Sequence, residues 1–523
     1  MKRETFNEAL NGLDQALIDE HIREREALTA KPVRKTVWKR AAVIAACAAL
    51  IAVCAVAAVV IAKQASGASE LPTVAPYGGA SELEPSPVTG QPFNRFCELT
   101  LPSSLADCAL RQAEFPVMPE QSGDGREYDM EKANAYFAYR QENIMPYAIT
   151  PGEMADFLTS SASLFLAGMD GENRVFAPLN AYMGLAMLAE TTDGTTRAQL
   201  LDLLGADSIE TLRARADRVW RYTYRDDGLS IHILASSLWL NRNFTYNKQA
   251  LDILRDSYQA SVYAGEMGSE AYDAAMHDWL NHYTGGLLES YVDGIRTNPD
   301  DVLHLFSTTY FHANWQSGEV LETMPGVFHA AGGDMDCTML TFSEIFMGEV
   351  WEGRRFTAVR KYLDGNNTVW LILPKEGVTV DELLADEQAV RFAMLGEADG
   401  VKNRRVQLHA AFPAFDMSVK TDMKAGLTAL GVTECFTPAG DFSALTEDEG
   451  MYVEEITQST RLIVNKEGVT GGAMIQVFYV GAPMPPKEIL YFTCDRPFLC
   501  VVTAEGGLPV FAGVVNRPEA PQD

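Results

Sequence analysis

The chain has 523 residues, 47% of them hydrophobic and 22% charged, with 71 Asp/Glu against 42 Lys/Arg and a formal net charge of −29. That composition describes a globular protein with ample material for a large core, and it excludes general disorder. Residues 1–40 hold nine Lys/Arg against seven Asp/Glu, so the acid excess lies wholly beyond them; there it aids solubility, repels nucleic acid and anionic lipid, and steers cationic partners at low salt.

In residues 4–28, Phe6, Leu10, Leu13 and Leu17 recur at helical spacing and predict a short amphipathic helix, suited equally to docking a partner or to simple packing. Residues 41–62 form an unbroken apolar run of 22 residues, about 33 Å long as a helix and enough to cross a bilayer. Arg34, Lys35, Lys39 and Arg40 precede the run and only Lys63 follows at once. The positive-inside rule therefore places residues 1–40 in the cytoplasm and everything from residue 63 outside the membrane. A cleaved signal peptide is the rival reading; against it stand the long leader and an apolar run exceeding the usual length of about 7–15 residues. Cys47 after Ile-Ala-Ala loosely suggests a lipid-attachment site, but too little apolar sequence precedes it.

Residues 63–93 are rich in Ser, Gly, Pro and Ala without an apolar period and read as an extended tether. Residues 94–149 carry no motif and read as a collar on the folded head or as more linker. Beyond the apolar run stand Cys97, Cys108, Cys337, Cys435, Cys494 and Cys500, with no CxxC or metal spacing among them. A Cys97–Cys108 bridge is one option, and free buried thiols are the default.

The head, residues 150–518, opens on Thr150-Pro151-Gly152-Glu153. This is a capping box with Pro at the first helical position, leading a helix through Met154, Phe157, Leu158, Phe165 and Leu166. Thr421 similarly predicts a helix start, with Leu427 and Leu430 on its apolar face and Gly431 closing it. Val406-Gln407-Leu408 and residues 415–419 alternate apolar and polar as half-buried strands do. Helices come first and strands mostly later, which predicts an α+β fold, with residues 519–523 as a tail. HExxH, GxGxxG, GxxxxGK[ST] and GxSxG are all absent, and the eight His are scattered. The common metal, dinucleotide, phosphate and serine-hydrolase signatures are therefore missing, and neither an enzyme nor a metal or cofactor site is predicted.

Small residues interrupt strand-like sequence at Asn465-Lys466-Glu467-Gly468-Val469-Thr470-Gly471-Gly472-Ala473. From Met474 the chain continues as Ile475-Gln476-Val477-Phe478-Tyr479-Val480, and Pro483, Pro485 and Pro486 stop it. Glycine lets a backbone bend and slide between neighbours where a larger side chain would clash. The block resembles the hinge and reactive loop of the serpins. Asp495-Arg496-Pro497-Phe498-Leu499 and residues 511–518 are similar to that family's C-terminal signature and closing strand. Residues 309–315, ending in Trp315, are similar to its aromatic segment where the loop first meets the sheet. Residues 173–180 are similar to the start of its central buried helix, and residues 369–374 to a core strand.

The resemblance implies a serpin fold whose main sheet accepts an inserted strand, and a monomeric protease inhibitor in which the protein is bait. A serine protease attacks the loop, forms an acyl-enzyme, and is dragged along as the loop becomes a strand. The implied hinge is Glu467, Gly468, Val469, Thr470, Gly471, Gly472, Ala473 and Ile475. By family register Val469, Gly471, Ala473 and Ile475 face the core, and none is charged or Pro. The scissile bond falls within Tyr479, Val480, Gly481 and Ala482, ahead of Pro483, as bait for an elastase-like or subtilisin-like protease; Tyr479 would suit a chymotrypsin-like one. Asn180, Ser307 and Gln458 stand where the family carries a polar cluster beneath the helix that gates sheet opening, and Trp315 marks where the loop first enters. The chain departs from the pattern at Lys466, Gly471-Gly472, Ala177, Asn180, Ser307 and Gln458. Two alternatives are a non-inhibitory surface binding protein and a transmembrane sensor whose cytoplasmic helix reports loop cleavage. The anchor, with the implied family, reads as a bacterial-type serpin displayed outside the cell.

Overall fold

The computed structural model describes residues 95–96, 99–121, 130–168, 171–469 and 486–521. The predicted cytoplasmic helix, the apolar run at 41–62, the tether and Cys97 lie outside the described residues. Among the described residues no helix is long and apolar enough to cross a membrane.

The segment without a motif is built into the body. Phe96, Leu105 and Met118 are buried, and β1 (Ala109–Arg111) pairs antiparallel with Tyr263 and Val262. Helix α1 (Met130–Asn143) follows. Tyr136 Oη and Gln121 Nε2 donate to Asp227 Oδ2 at 2.9 and 3.0 Å, while Asp227 Oδ1 accepts the amides of Leu229 and Ser230. Arg140 and Arg225 both pair with Glu505. Burial opposes the Glu505 charge, yet bonds and charge from the two guanidinium groups hold its carboxyl below the usual range.

The capping box at Thr150 and Glu153 forms as predicted, on a 3-10 turn (Pro151–Met154) that runs into α2 (Ala155–Phe165). Phe157, Leu158 and Phe165 face the core. After β2 (Arg174–Phe176), α3 (Pro178–Thr191) is buried along nearly its whole length, packed between strands of two sheets. There follow α4 (Gly194–Leu203), α5 (Ile209–Thr223), β3 (Arg225–Asp226), β4 (Ser230–Asn241), α6 (Lys248–Tyr258), β5 (Ala260–Gly265), α7 (Glu270–Thr284), α8 (Glu289–Val292) and β6 (Leu303–Asn314). The C-terminal half holds β7 (Glu322–Ala330), β8 (Gly333–Glu344), β9 (Glu349–Glu352), β10 (Phe356–Tyr362), β11 (Thr368–Pro374), α9 (Val380–Leu384), α10 (Glu387–Leu395), β12 (Lys402–Arg405), β13 (Gln407–Pro413), β14 (Phe415–Asp422), α11 (Lys424–Ala429), β15 (Thr457–Val464), β16 (Gly468–Val469), β17 (Ile489–Thr493), β18 (Phe498–Thr503) and β19 (Pro509–Val515).

These strands form a main sheet β1-β5-β4-β6-β16 with β3 on β4, a seven-stranded sheet β12-β9-β10-β11-β18-β19-β2, a sheet β17-β13-β8-β7, and a pair β14-β15. Helices concentrate before residue 300 and strands after it, although β4 and β5 lie among the helices. The core strand predicted from residue 369 is β11, buried at every position.

Thr421 does not open a helix. It belongs to β14 and pairs with Gln458; the alternation that starts at Phe415 simply continues through it, and ladder bonds outweigh a cap. Asp422 takes the capping role instead, its Oδ1 accepting the Lys424 amide at 2.9 Å. Gly431, at φ +96°, closes the turn after α11.

Candidate functional site: a gap in the main sheet

One edge of β6 pairs with β4 continuously, from Leu303 opposite Leu240 to Ala313 opposite Ser230. Among the described residues its other edge pairs at the last two residues alone, Asn314 with Gly468 and Ala313 with Val469. Among the described residues strand β15 pairs with β14 alone. Between β6 and β15 runs a slot. Ala177, Asn180 and Phe511 form its floor, Leu287 and Leu288 lie over it, and Ser307, Thr309, Thr460 and Arg461 line its sides. The buried hydroxyls of Thr309 and Thr460, one on each wall, have no hydrogen-bond partner among the described residues. Among the described residues the slot is thus flanked by two strand edges with unused backbone donors and acceptors.

The floor ties the two walls together. Asn180 Nδ2 donates to Ser307 Oγ on β6 at 3.1 Å, and Gln458 Nε2 on β15 donates to Asn180 Oδ1 at 3.2 Å. Gln458 is fixed in turn by Ala177, accepting its amide at 2.8 Å and donating to its carbonyl at 3.0 Å. Three residues far apart in the chain therefore meet, with helix α3 as the bridge. Arg461 ties β15 to β14 and to the segment over the slot. It holds Asp416 through two bonds of 2.6 and 2.9 Å, and its other nitrogen reaches the Leu287 carbonyl above the slot at 3.5 Å.

At the upper end, the chain leaves β15, turns within three residues and comes back beside β6. Trp315, fully buried, donates its amide to the Glu467 carbonyl at 3.1 Å and its indole N–H to the Asn465 carbonyl at 3.0 Å. A Cβ on Gly468 would lie 2.5 Å from the Ala313 carbonyl oxygen and 2.6 Å from Asn314 Cα, so only glycine lets the two backbones approach this closely. Val469 is buried at 2% exposure. Lys466 and Glu467 point outward as a loose pair at 3.6 Å, about half exposed, where charge costs little.

Thus Glu467, Gly468, Val469, Trp315, Asn180, Ser307 and Gln458 all belong to this slot or its upper end. Thr470, Gly471, Gly472, Ala473 and Ile475, and the scissile region Tyr479, Val480, Gly481, Ala482 and Pro483, lie outside the described residues. Sequence reasoning missed Arg461, for which no local signal exists, and the role of Asn465, which the Asn-x-x-Gly spacing of a tight turn could have shown. Burial pushes the imidazoles of His232 on β4 and His312 on β6 well below their ordinary pKa, His232 to about 3. No cluster of metal-ligating side chains occurs among the described residues.

A family model described as "Serpin (serine protease inhibitor)" matches residues 155–518, well over half of the chain. Serpin B11 of Mus musculus is 25% identical over 376 residues, covering 66% of this chain and 94% of the relative. Neuroserpin of Gallus gallus is 23% identical over 371 residues, covering 68% and 88%. Among solved structures, the thermophilic serpin tengpin in its native state superposes with a TM-score of 0.60 at 23% identity, covering 78% of this chain and all of that one.

Proposed function

The chain belongs to the serpin family, and from that premise we propose that it is a loop-insertion inhibitor of serine proteases with elastase-like or subtilisin-like preference, carried on the outer face of a bacterial membrane by the apolar run at 41–62. The observation that carries this reading is the hinge: its first rung is already seated in a sheet that still has room for a strand.

The protease serine attacks a carbonyl within residues 479–482, the peptide bond breaks, and the new amino terminus leaves with the C-terminal part. The ester that remains tethers the protease to the loop. Entering the slot, the loop meets the free edges of β6 and β15, and its backbone groups pair on both sides. Val469 already faces the core, so side-chain alternation turns Gly471, Ala473 and Ile475 the same way. Each is uncharged, so nothing in this set stalls insertion before the ester hydrolyses. Pairing of the entering strand provides the driving force, since each ladder bond contributes about 1 kcal/mol net.

A non-inhibitory role is favoured by one observation, the tie across the slot through Asn180, with Arg461 bonded to the segment above it. A slot held shut beyond two residues would leave the loop an ordinary substrate. The discriminating test is incubation with elastase and subtilisin followed by SDS gel electrophoresis. An SDS-stable adduct of protease and chain is expected; clean loop cleavage with no adduct at any ratio would overturn the inhibitory reading. Membrane display is tested separately, by whether the full chain fractionates with membranes and loses its head to externally added protease.

A further inference from the structure

The turn that feeds the slot is bonded on both its faces. Asn465 Oδ1 accepts the amides of Glu467 and Gly468, at 2.9 and 3.1 Å, and the Asn465 amide donates to the Gly468 carbonyl at 3.0 Å. On the outer side, the carbonyls of Asn465, Lys466 and Glu467 accept from the Trp315 indole, the Leu321 amide and the Trp315 amide, at 3.0, 2.8 and 3.1 Å. Among the described residues Asn465 is the only side chain that accepts from the Glu467 and Gly468 amides. Removing it leaves two donors unmatched and frees the segment to swing.

We infer that Asn465 is a positioning residue that fixes the pivot about which the loop enters, so that insertion starts from a rung already made. The inference rests on the inhibitory reading above. Insertion extends β16 forward from Val469, while the turn upstream keeps the same bonds whether two residues or the whole loop have entered. The first rung of a ladder is the costly one, because it orders a segment for few bonds. Asn465 places that ordering before the protease arrives. Without it, the acylated loop has to find the slot first, deacylation gains time, and more chains end as cleaved substrate. The bait itself lies a dozen residues away, so its cleavage rate does not depend on Asn465.

The experiment compares Asn465→Ala, Asn465→Asp and Asn465→Gln in the full chain. Each is titrated against elastase for inhibitory stoichiometry and assayed for the rate of initial loop cleavage. Asp keeps an acceptor at the same reach, whereas Gln moves it by one methylene. Expected is a severalfold rise in moles of chain consumed per mole of protease trapped for Ala and Gln, stoichiometry close to wild type for Asp, and loop cleavage within about twofold throughout. Equal trapping by Ala and wild type, or failure of Asp to rescue, overturns the proposal. Should the wild-type chain itself form no adduct, the inhibitory reading fails and the pivot is read differently: after nicking, the change in Trp315 fluorescence would be slowed in Ala and Gln and not in Asp, and unchanged rates would refute it.

Discussion

The seven-stranded sheet and the main sheet are built from the same kind of strand and reach opposite ends. In the former, β10, β11, β18 and β19 pair on both edges and are buried along most of their length. In the latter, β6 has a complete ladder on one side and two residues of ladder on the other, while β15 faces it across a slot. Among the described residues, one sheet has used its hydrogen-bonding capacity, and the other keeps a row of donors and acceptors in reserve. On the proposed reading, stability is stored unequally: the first sheet is the fixed frame, and the second is the part that can still gain.

The sharpest way to test that contrast is to cut the loop. Nicking within residues 479–482 is expected to raise the melting temperature by on the order of 10 °C or more, since on the order of ten new ladder bonds at ~1 kcal/mol each become available. Calorimetry before and after nicking checks it, and an unchanged melting point would mean that the slot stays empty. Next, Ala473→Arg buries an unpaired charge in the entering strand at a cost of several kcal/mol. It should convert trapping into plain cleavage, and full inhibitory stoichiometry in that variant would refute the register.

The frame should answer differently. Leu371, fully buried in β11, when changed to Ala should cost about 2–5 kcal/mol of stability, lowering the melting points of intact and nicked chains alike. A loss confined to one of the two forms would break the distinction between frame and trap. The buried imidazole of His232 supplies a pH arm, for it sits in the main sheet. Burial holds its folded pKa near 3, below the ordinary 6.5. The unfolded chain therefore binds the extra proton, and stability falls as pH drops from about 6.5 toward 3, by roughly 2 kcal/mol at pH 5 from this one group. Denaturant titrations of His232→Phe should show a flatter dependence over that window. Smallest is Gln458→Ala, which removes the tie between β15 and Asn180. About 1 kcal/mol of intact-chain stability should be lost, with faster heat-stable conversion after nicking; slower conversion would assign Gln458 to the frame instead.

Much of this was legible before any coordinates. The capping box at Thr150 and Glu153 follows from local pattern, because caps leave signatures within a few residues, whereas the buried start of α3 and the buried strand β11 were read through family resemblance. Thr421 misled because a β-branched hydroxyl suits a strand end as well as a cap, and the choice depends on Gln458 in a distant strand. Residues 95–121 stayed opaque for a related reason. They contribute Phe96, Leu105 and Met118 at irregular spacing and one strand of three residues, so their order comes from the body they pack on. At the site, the hinge was visible as small residues in strand sequence, whereas Asn180, Ser307 and Gln458 were found through family resemblance alone. Nothing in their own neighbourhoods predicts that they meet.

The two residues of β16 also act as a ruler. Gly468 lies opposite Asn314 and Val469 opposite Ala313 in an antiparallel ladder. Continued one for one, that count brings residue 479 level with Leu303, where β6 begins. The bait would then have travelled the full length of the strand, roughly 37 Å at ~3.4 Å per residue. With the bait placed as proposed, loop and groove would be matched in measure. A loop shortened by two residues would run out before the far end, and one lengthened by two would leave slack at the arrival point, so insertions and deletions between Val469 and Tyr479 should harm the device even where no single side chain matters.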